Sequence, residues 1–297
     1  MDATTVNTEA QASAIKSSYL KDVAQRFLRH KMAMIGLIVL CLEIVLMFVL
    51  PAVMGLDPNT STSGGFGAAP SVEHIFGTDD VGRDNLARLL AGGKTSLYVG
   101  LVSTALSLLI GVPLGLIAGY FRGISEIVIM RLADIFMSFP AMILILVLVA
   151  IVGPSVNAVT FVIGFTGWPT FAKLLYANVL SIREKEYVEA ARAVGTKHAP
   201  TIIKYILPNA FAPVLVAFTF RLANAIIQES TLSFLGMGVQ PPQASWGNIL
   251  YAAQSISILA QRPWMWMPAG IALLLTVLSI NFFGDGLRDA LDPKMKI

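Results

Sequence analysis

The amino-acid sequence predicts an all-α membrane protein with six transmembrane helices. Of its 297 residues, 56% are hydrophobic and 13% are charged, whereas soluble domains carry about 25% charged residues. Several apolar runs reach about twenty residues, which is the length of helix that crosses the roughly 30 Å hydrocarbon core of a bilayer. Lysine and arginine collect in alternate connecting segments. These three observations favour a lipid bilayer as the environment and exclude an ordinary soluble domain.

The apolar runs predict the positions of the membrane helices. They span residues 33–55, 96–119, 133–153, 156–176, 209–230 and 264–284. The third and fourth runs are separated only by Gly153-Pro154-Ser155, which predicts a tight helical hairpin. The first run is too long for a signal-peptide core, so we expect it to stay as a membrane anchor. Cys41 is the single cysteine and can form no intrachain disulfide.

The distribution of basic residues predicts the orientation in the membrane. Sixteen of the 21 lysines and arginines fall in segments 1–32, 120–132, 173–208 and 285–297, and four fall in the alternate loops. Basic segments stay in the cytoplasm. We therefore expect residues 1–32 to be a cytoplasmic N-terminal segment and residues 285–297 a cytoplasmic tail, with residues 56–95 as a periplasmic loop. This distribution explains the positive net charge without a nucleic-acid partner.

The cytoplasmic segment 181–208 has a helical pattern. Ser181-Ile182-Arg183-Glu184 has the form of a capping box, which predicts a helix that begins at Ser181. Gly195 is a natural stop, and a second short helix is expected to run to Leu207-Pro208 before the fifth membrane helix. A small apolar stripe follows the helical spacing and suits either a protein groove or the lipid headgroups. The stripe consists of Tyr187, Ala190, Ala191 and Val194.

This segment carries a resemblance to a known family. Glu189-Ala190-Ala191, followed by Gly195 and then by Leu207-Pro208, resembles the EAA loop of ABC importer permeases, which couples them to ATPase subunits. Tyr205 departs from that pattern, since the family has isoleucine there. The resemblance implies that segment 181–208 docks on the ATPases. The residues implied to couple are Tyr187, Glu189, Ala190, Ala191, Gly195, Leu207 and Pro208.

Further stretches are similar to the dipeptide, oligopeptide and nickel branch of that family. They are residues 74–84 with Arg88, residues 232–247 and residues 284–294, so the resemblance covers about residues 20–297. It implies a type I ABC importer permease fold, with the permease core at residues 96–284, in a bacterial cytoplasmic (inner) membrane. It also implies a homologous second permease, two ATP-binding subunits and an extracytoplasmic solute-binding protein as partners. No cofactor is implied.

The function that the resemblance implies is ATP-driven uptake of di- or oligopeptides or similar small solutes. Importers of nickel chelates, glutathione or oligosaccharides belong to the same branch and stay as alternatives. From other classes, the alternatives are a membrane-embedded enzyme and, after it, a secondary transporter. The apolar runs contain no histidine pair, nucleophile elbow or metalloprotease helix, so we predict no catalytic residue. ATP hydrolysis is expected on separate subunits.

Two local patterns in the periplasmic loop resemble binding sites. Gly92-Gly93-Lys94-Thr95 looks like the end of a phosphate-binding loop, but that motif requires glycine where this chain has Arg88, so we predict no nucleotide site. An acidic cluster lacks the alternating oxygen ligands of a calcium loop and the histidines of a zinc site. We predict ion pairs with Arg83 and Arg88 instead. The cluster comprises Glu73, His74, Asp79, Asp80 and Asp84.

Polar residues within the fifth apolar run are the candidates for the translocation path. Asn224 and Gln228 follow Arg221 at i+3 and i+7, so all three share one helix face. A polar stripe at bilayer depth faces either a bundle interior or a water-filled path. A structural network between helices and a path for the solute are both compatible with this pattern.

Two further features of the membrane runs are a row of glycines and an isolated carboxylate. Gly111, Gly115 and Gly119 recur at a spacing that lets helices approach closely, so we expect a structural seam. Glu43 is a carboxylate in the first run, where a charge is costly. We expect it to be protonated or paired with a neighbouring subunit.

Overall fold

A computed structural model describes residues 21–61 and 65–291, and the elements of this part of the chain are helices joined by loops. Residues 21–29 are helical. The α-helices that follow are α1 (Lys31–Met54), α2 (Asn85–Phe121), α3 (Gly123–Ser138), α4 (Ala141–Val152), α5 (Val156–Arg183), α6 (Glu186–Ala193), α7 (His198–Thr201), α8 (Leu207–Phe234), α9 (Trp246–Leu250), α10 (Ile256–Gln261) and α11 (Met267–Leu291). Most of the predicted N-terminal segment 1–32 and the end of the predicted tail 285–297 lie outside the described residues.

The predicted all-α membrane fold is confirmed. Among the described residues, five helices are long and apolar enough to cross a membrane, and a bent pair makes a sixth if it is counted as one span. The five are α1, α2, α5, the run His198–Phe234 and α11. Helix α11 continues to Leu291, so the predicted boundary at residue 284 is too early.

The third span is not the single helix predicted for residues 133–153. Helices α3 and α4 meet at an angle of 91°, and Phe139 between them is extended, with φ −88° and ψ 141°. The cause is Pro140, because proline pushes the residue before it out of the helical region. Sequence hydropathy does not register this break, since the residues on both sides are apolar.

Helix α2 begins at Asn85, well before the predicted start at residue 96. The carboxylate of Asp84 accepts a hydrogen bond of 2.8 Å from the main-chain N–H of Ala87 and caps the helix. The loop between α1 and α2 therefore ends at Asp84 instead of residue 95. Residues 92–95, which look like part of a phosphate-binding loop, lie inside this helix, where the Lys94 ammonium is 4.7 Å from the centre of the Phe48 ring.

The loop before α2 contains the predicted ion pairs. The Asp79 carboxylate lies 2.7 Å from Nε of Arg83 and 3.4 Å from Nε of Arg88. His74 Nδ1 lies 2.7 Å from Asp84 Oδ2. These contacts confirm the salt bridges expected for Arg83 and Arg88. They hold the loop against the start of α2.

The centre of the bundle is the contact between α2 and α5. A Cβ atom on Gly111 would lie 2.5 Å from the Trp168 carbonyl oxygen, and one on Gly115 would lie 2.6 Å from that of Ala172. Real Cβ atoms do not approach so closely, so glycine is required for this contact. The seam predicted from Gly111, Gly115 and Gly119 is therefore structural, as expected.

Helix α1 packs on α11 at the edge of the bundle. Thr276 on α11 donates a hydrogen bond of 2.6 Å to Glu43 Oε2. Gly36 permits the close approach, since its Cβ would lie 2.6 Å from the Ser279 carbonyl oxygen. Glu43 thus has a hydrogen-bonding partner within its own chain, which the sequence analysis did not anticipate.

Candidate functional site

Arg221 joins α8 to α5 within the membrane bundle. Its Nη1 donates to Gln228 Oε1 at 3.0 Å, and its Nη2 donates to the Ile163 carbonyl oxygen at 2.9 Å. Gly167 on α5 leaves the room for the guanidinium, since a Cβ there would collide with it. Asn224 is exposed and donates to the Phe220 carbonyl of its own helix. The structure therefore brings Arg221 and Gln228 together and leaves Asn224 outside this network.

The Arg221 network leaves binding capacity unused. A guanidinium has five N–H donors, and Nε of Arg221 is buried without a hydrogen-bond partner. Asn224 presents its amide one turn further along the same helix, on the exposed surface. A guanidinium stays charged at physiological pH and matches the geometry of a carboxylate. The arrangement holds α5 against α8 and leaves a buried N–H of the guanidinium without an acceptor.

A buried carboxylate on the same helix was missed by the sequence analysis. Glu229 is fully buried. It accepts hydrogen bonds of 2.7 Å from Ser96 on α2 and 2.7 Å from Ser233, and Ser96 Oγ also accepts from the Trp246 main-chain N–H at 3.2 Å. The sequence did contain a signal for this residue, because Glu229 is a carboxylate inside the apolar run 209–230. The structure makes it a hub that joins α2, α8 and α9.

A second charged cluster lies where α3 packs on α5. Lys173 Nζ is 2.7 Å from Asp134 Oδ1, and Arg131 Nη1 is 3.8 Å from Asp134 Oδ2. At the same contact, the Tyr176 hydroxyl hydrogen-bonds to Glu126. The sequence analysis placed Lys173 at the start of the cytoplasmic segment. In the structure Lys173 lies within α5, which continues to Arg183.

The predicted capping box is also wrong. Residues 181–183 form the last turn of α5, and α6 begins only at Glu186, after Lys185. The apolar face of α5 continues through Val179 and Ile182 into the bundle core, so packing extends the helix past the serine. Arg183 Nη1 then donates to the Tyr120 carbonyl at 3.0 Å.

Helix α6 has a buried face and an open face. Val188 and Ala191 are buried, at 0% and 6% exposure, while Tyr187, Ala190 and Val194 are exposed. The predicted stripe is therefore divided, with Ala191 packed inward and its other members pointing away from the chain. Glu189 is exposed beside the open face. This face leaves three apolar side chains and a carboxylate available to another molecule.

Gly195 ends α6 as expected. Its φ is +80°, which is a left-handed conformation that glycine adopts without strain. Its N–H donates to the Arg192 carbonyl at 2.9 Å, and the Thr196 N–H donates to the Ala191 carbonyl at 3.1 Å. These two bonds are the Schellman arrangement. They turn the chain directly towards α7.

The boundary predicted at Leu207-Pro208 is absent. Helix α7, a π-helical turn at Ile202–Ile206 and α8 run on as one element. Pro208 has no N–H to donate to a carbonyl in the preceding turn. The wider π-helical turn accommodates this missing backbone hydrogen bond. Ile206 is buried in the bundle core, whereas Tyr205 is 36% exposed. Helix α7 is thus continuous with the span that carries Arg221.

These features are typical of a membrane permease: a bundle of candidate spanning helices, a polar network between two of them and an amphipathic loop helix packed at one end. The chain belongs to the family of binding-protein-dependent transport system inner membrane components, whose model matches residues 111–297. The N-terminal transmembrane domain of oligopeptide transport permease C matches residues 18–70. The family consists of ABC importer subunits that work with ATPases and other subunits, and they are not enzymes.

Curated relatives match nearly the whole chain. A putative peptide permease protein of Brucella suis biovar 1 (strain 1330) is 41% identical over 274 residues, covering 92% of this chain and 91% of the relative. A dipeptide transport system permease protein of Alkalihalophilus pseudofirmus is 37% identical over 276 residues, covering 93% and 90%. The predicted permease family and function are therefore confirmed.

Solved structures show the same fold at low identity. An inward-facing structure of the MetNI methionine ABC transporter matches with a TM-score of 0.57 and 22% identity, covering 69% of this chain and 97% of that one. An amino acid ABC transporter solved with histidines matches with a TM-score of 0.53 and 15% identity, covering 68% and 92%. These likenesses confirm the importer permease fold.

Proposed function

We propose that this permease carries di- or oligopeptides into the cell across the bacterial cytoplasmic membrane. The observation that carries the proposal is the peptide and dipeptide permeases that match more than nine-tenths of the chain. In the complete importer, a homologous second permease would line the path with this chain. Two ATP-binding subunits would dock on the cytoplasmic side, and an external solute-binding protein would deliver the peptide.

The open face of α6 is the proposed docking surface for an ATPase subunit. Tyr187, Ala190 and Val194 expose apolar surface there, and Val188 on the opposite face packs into the core formed by α2, α5 and α8. A force on α6 therefore reaches three membrane helices through packed side chains. The alternative, in which this face lies on lipid headgroups, would give α6 no role in ATPase binding.

Arg221, Asn224 and Gln228 are proposed to line the translocation path. The unused donors of the guanidinium suit the carboxylate of a peptide, and Asn224 offers a neutral amide beside it on the exposed surface. The hydrogen bonds of Arg221 to Gln228 and to Ile163 would hold the guanidinium in position before a solute arrives. A solely structural role in joining α5 to α8 is the alternative that the mutations described below separate.

The proposed function is tested by transport in a defined system. The chain, its partner permease, the ATPases and the binding protein would be reconstituted in liposomes, with labelled dialanine as the solute. We expect uptake that requires both ATP and the binding protein. Uptake of glutathione, a nickel chelate or an oligosaccharide without dialanine uptake would contradict the peptide assignment. Uptake driven by an ion gradient alone would contradict the ABC mechanism.

The proposed orientation has its own test. Ser71→Cys in the external loop and Ser181→Cys at the end of α5 are matched, exposed replacements in a Cys41→Ser background. An impermeant thiol reagent should label only Ser71→Cys in intact cells and both variants in opened cells. Labelling of Ser181→Cys in intact cells would reverse the orientation and with it the docking proposal for α6.

A further inference from the structure

The cluster where α3 meets α5 is unusual because its charges are accessible. The side chains of Lys173 and Asp134 are 37% and 48% exposed although they lie 2.7 Å apart, and that of Arg131 is 79% exposed. The cluster therefore forms an open charged surface. The side chains of an ion pair enclosed between two helices would be much less exposed to solvent.

This surface lies along the candidate membrane span α5, away from both of its ends. An α-helix rises about 1.5 Å per residue, which puts Lys173 about 15 Å from the Arg183 end of α5 and roughly 26 Å from its Val156 end. Asp134 lies about 16 Å along α3 from Gly123 by the same measure. Charged groups within a membrane-spanning segment are costly against lipid and face protein or water. The exposed side of this cluster therefore requires a polar neighbour.

The shape of the surface fits a small solute. A concavity of about 560 Å³ opens between α3 and α5, within the roughly 300–1,000 Å³ of typical ligand pockets. Both signs of charge occur on its wall, together with two apolar side chains. It is lined by Glu126, Ile127, Met130, Arg131, Asp134, Lys173 and Tyr176.

We propose that this concavity is a water-filled station of the translocation path that receives the two charged ends of a zwitterionic solute. The carboxylate would bind the ammonium of Lys173 and the guanidinium of Arg131, and the amino group would bind Asp134. Both cations have donors beyond those that Asp134 occupies. The inference deepens the proposed function and rests on it, because it requires a path that peptides cross.

The first experiment measures access of water to the concavity in the assembled importer. Ile127→Cys, on its wall, and Leu109→Cys, on α2, replace side chains of similar exposure, 61% and 68%, in the Cys41→Ser background. A charged methanethiosulfonate reagent should modify Ile127→Cys at least tenfold faster than Leu109→Cys in inside-out vesicles, and dialanine should slow that reaction. Equal rates at the two positions, or no effect of dialanine, would overturn the proposal.

The second experiment separates a solute site from an ion pair that only joins two helices. The double variant Lys173→Asp with Asp134→Lys keeps the pair but reverses its direction. We expect normal amounts of assembled complex with at least a tenfold loss of dialanine transport per complex. Recovery of wild-type transport would show that the pair is only a structural contact.

Arg131→Gln gives a check that does not depend on the helix contact. Because this side chain is 79% exposed, we expect unchanged assembly and an approximately tenfold higher KM for dialanine. An unchanged KM would overturn the role of Arg131. Failure of the wild-type importer to take up dialanine would contradict the proposed function, whereas wild-type uptake with an inaccessible Ile127→Cys would contradict only this inference.

Discussion

The hydroxyl of Ser96 on α2 donates a hydrogen bond of 2.7 Å to the carboxylate of Glu229 on α8, at a position where Glu229 is fully buried. The same Ser96 oxygen accepts from the main-chain N–H of Trp246 at 3.2 Å. Two membrane helices and the loop that follows α8 are therefore held at one point. The loop position depends on a contact between residues that are far apart in the sequence.

Glu229→Ala should lower the detergent melting temperature of the assembled complex. It would leave the hydroxyls of Ser96 and Ser233 without their acceptor, at about 1–3 kcal/mol for each unsatisfied group. Glu229→Gln keeps an acceptor oxygen and should lower the melting temperature less than Glu229→Ala does. Asn224→Ala, at an exposed position of the same helix, is the control and should melt like the wild type. Equal melting of all three variants would contradict the role of the hub.

Arg221→Gln should reduce peptide transport per assembled complex by at least tenfold while complex abundance stays normal. The change removes the charge that is proposed to meet the solute carboxylate. Arg221→Lys is the matched variant, because it keeps the charge and loses the planar donor pair, so intermediate transport is expected. Normal transport with a lowered melting temperature would assign Arg221 to structure alone.

Glu189→Lys on α6 should uncouple ATP hydrolysis from uptake or release the ATPase subunits, with membrane insertion unchanged. The reversal places a cation on the open face that is proposed to dock. Glu184→Lys is the matched control, because Glu184 is also exposed but precedes α6. ATPase retention is measured by co-purification, and coupling is the ratio of uptake to ATP hydrolysis. Wild-type values for Glu189→Lys would remove α6 from the interface.

Gly195→Asp tests the end of the same helix. Its φ of +80° is unfavourable for a residue with a side chain by roughly 1–2 kcal/mol. We expect weaker ATPase retention, because the Schellman turn that orients α6 against the bundle would be strained. A Gly195→Asn variant should retain more ATPase, since asparagine is the residue that takes the place of glycine at this position of helix ends. Identical retention in both variants and the wild type would show that the turn does not orient the docking face.

Gly115→Ala should prevent normal packing of α2 on α5 and lower the yield of folded protein. The added Cβ would lie 2.6 Å from the Ala172 carbonyl oxygen, so one helix must move. Gly270→Ala in α11 is the control, because its nearest neighbour would be 3.6 Å away. Folded yield is measured by size-exclusion chromatography in detergent. Equal yields would contradict the requirement for a close helix seam.

The sequence by itself determined the features that depend on local composition and spacing. Apolar runs long enough for a bilayer predict spanning helices wherever they occur. The seam at Gly111, Gly115 and Gly119 follows from helical spacing, and the end of α6 follows from Gly195, because only the local backbone is involved. The motifs around Glu189 were sufficient to identify the family. Each of these depends on residues within a few turns of one another.

Only the tertiary structure decided which polar groups meet. Arg221 contacts Ile163 on α5, and Glu229 contacts Ser96 on α2. The partners are far apart in the sequence, so no spacing along the chain predicts these contacts. Packing also overruled local signals, since the core contacts of Val179 carry α5 through the apparent cap at Ser181. A buried polar group takes whichever partner the fold brings near, because leaving it unpaired costs more than any local preference.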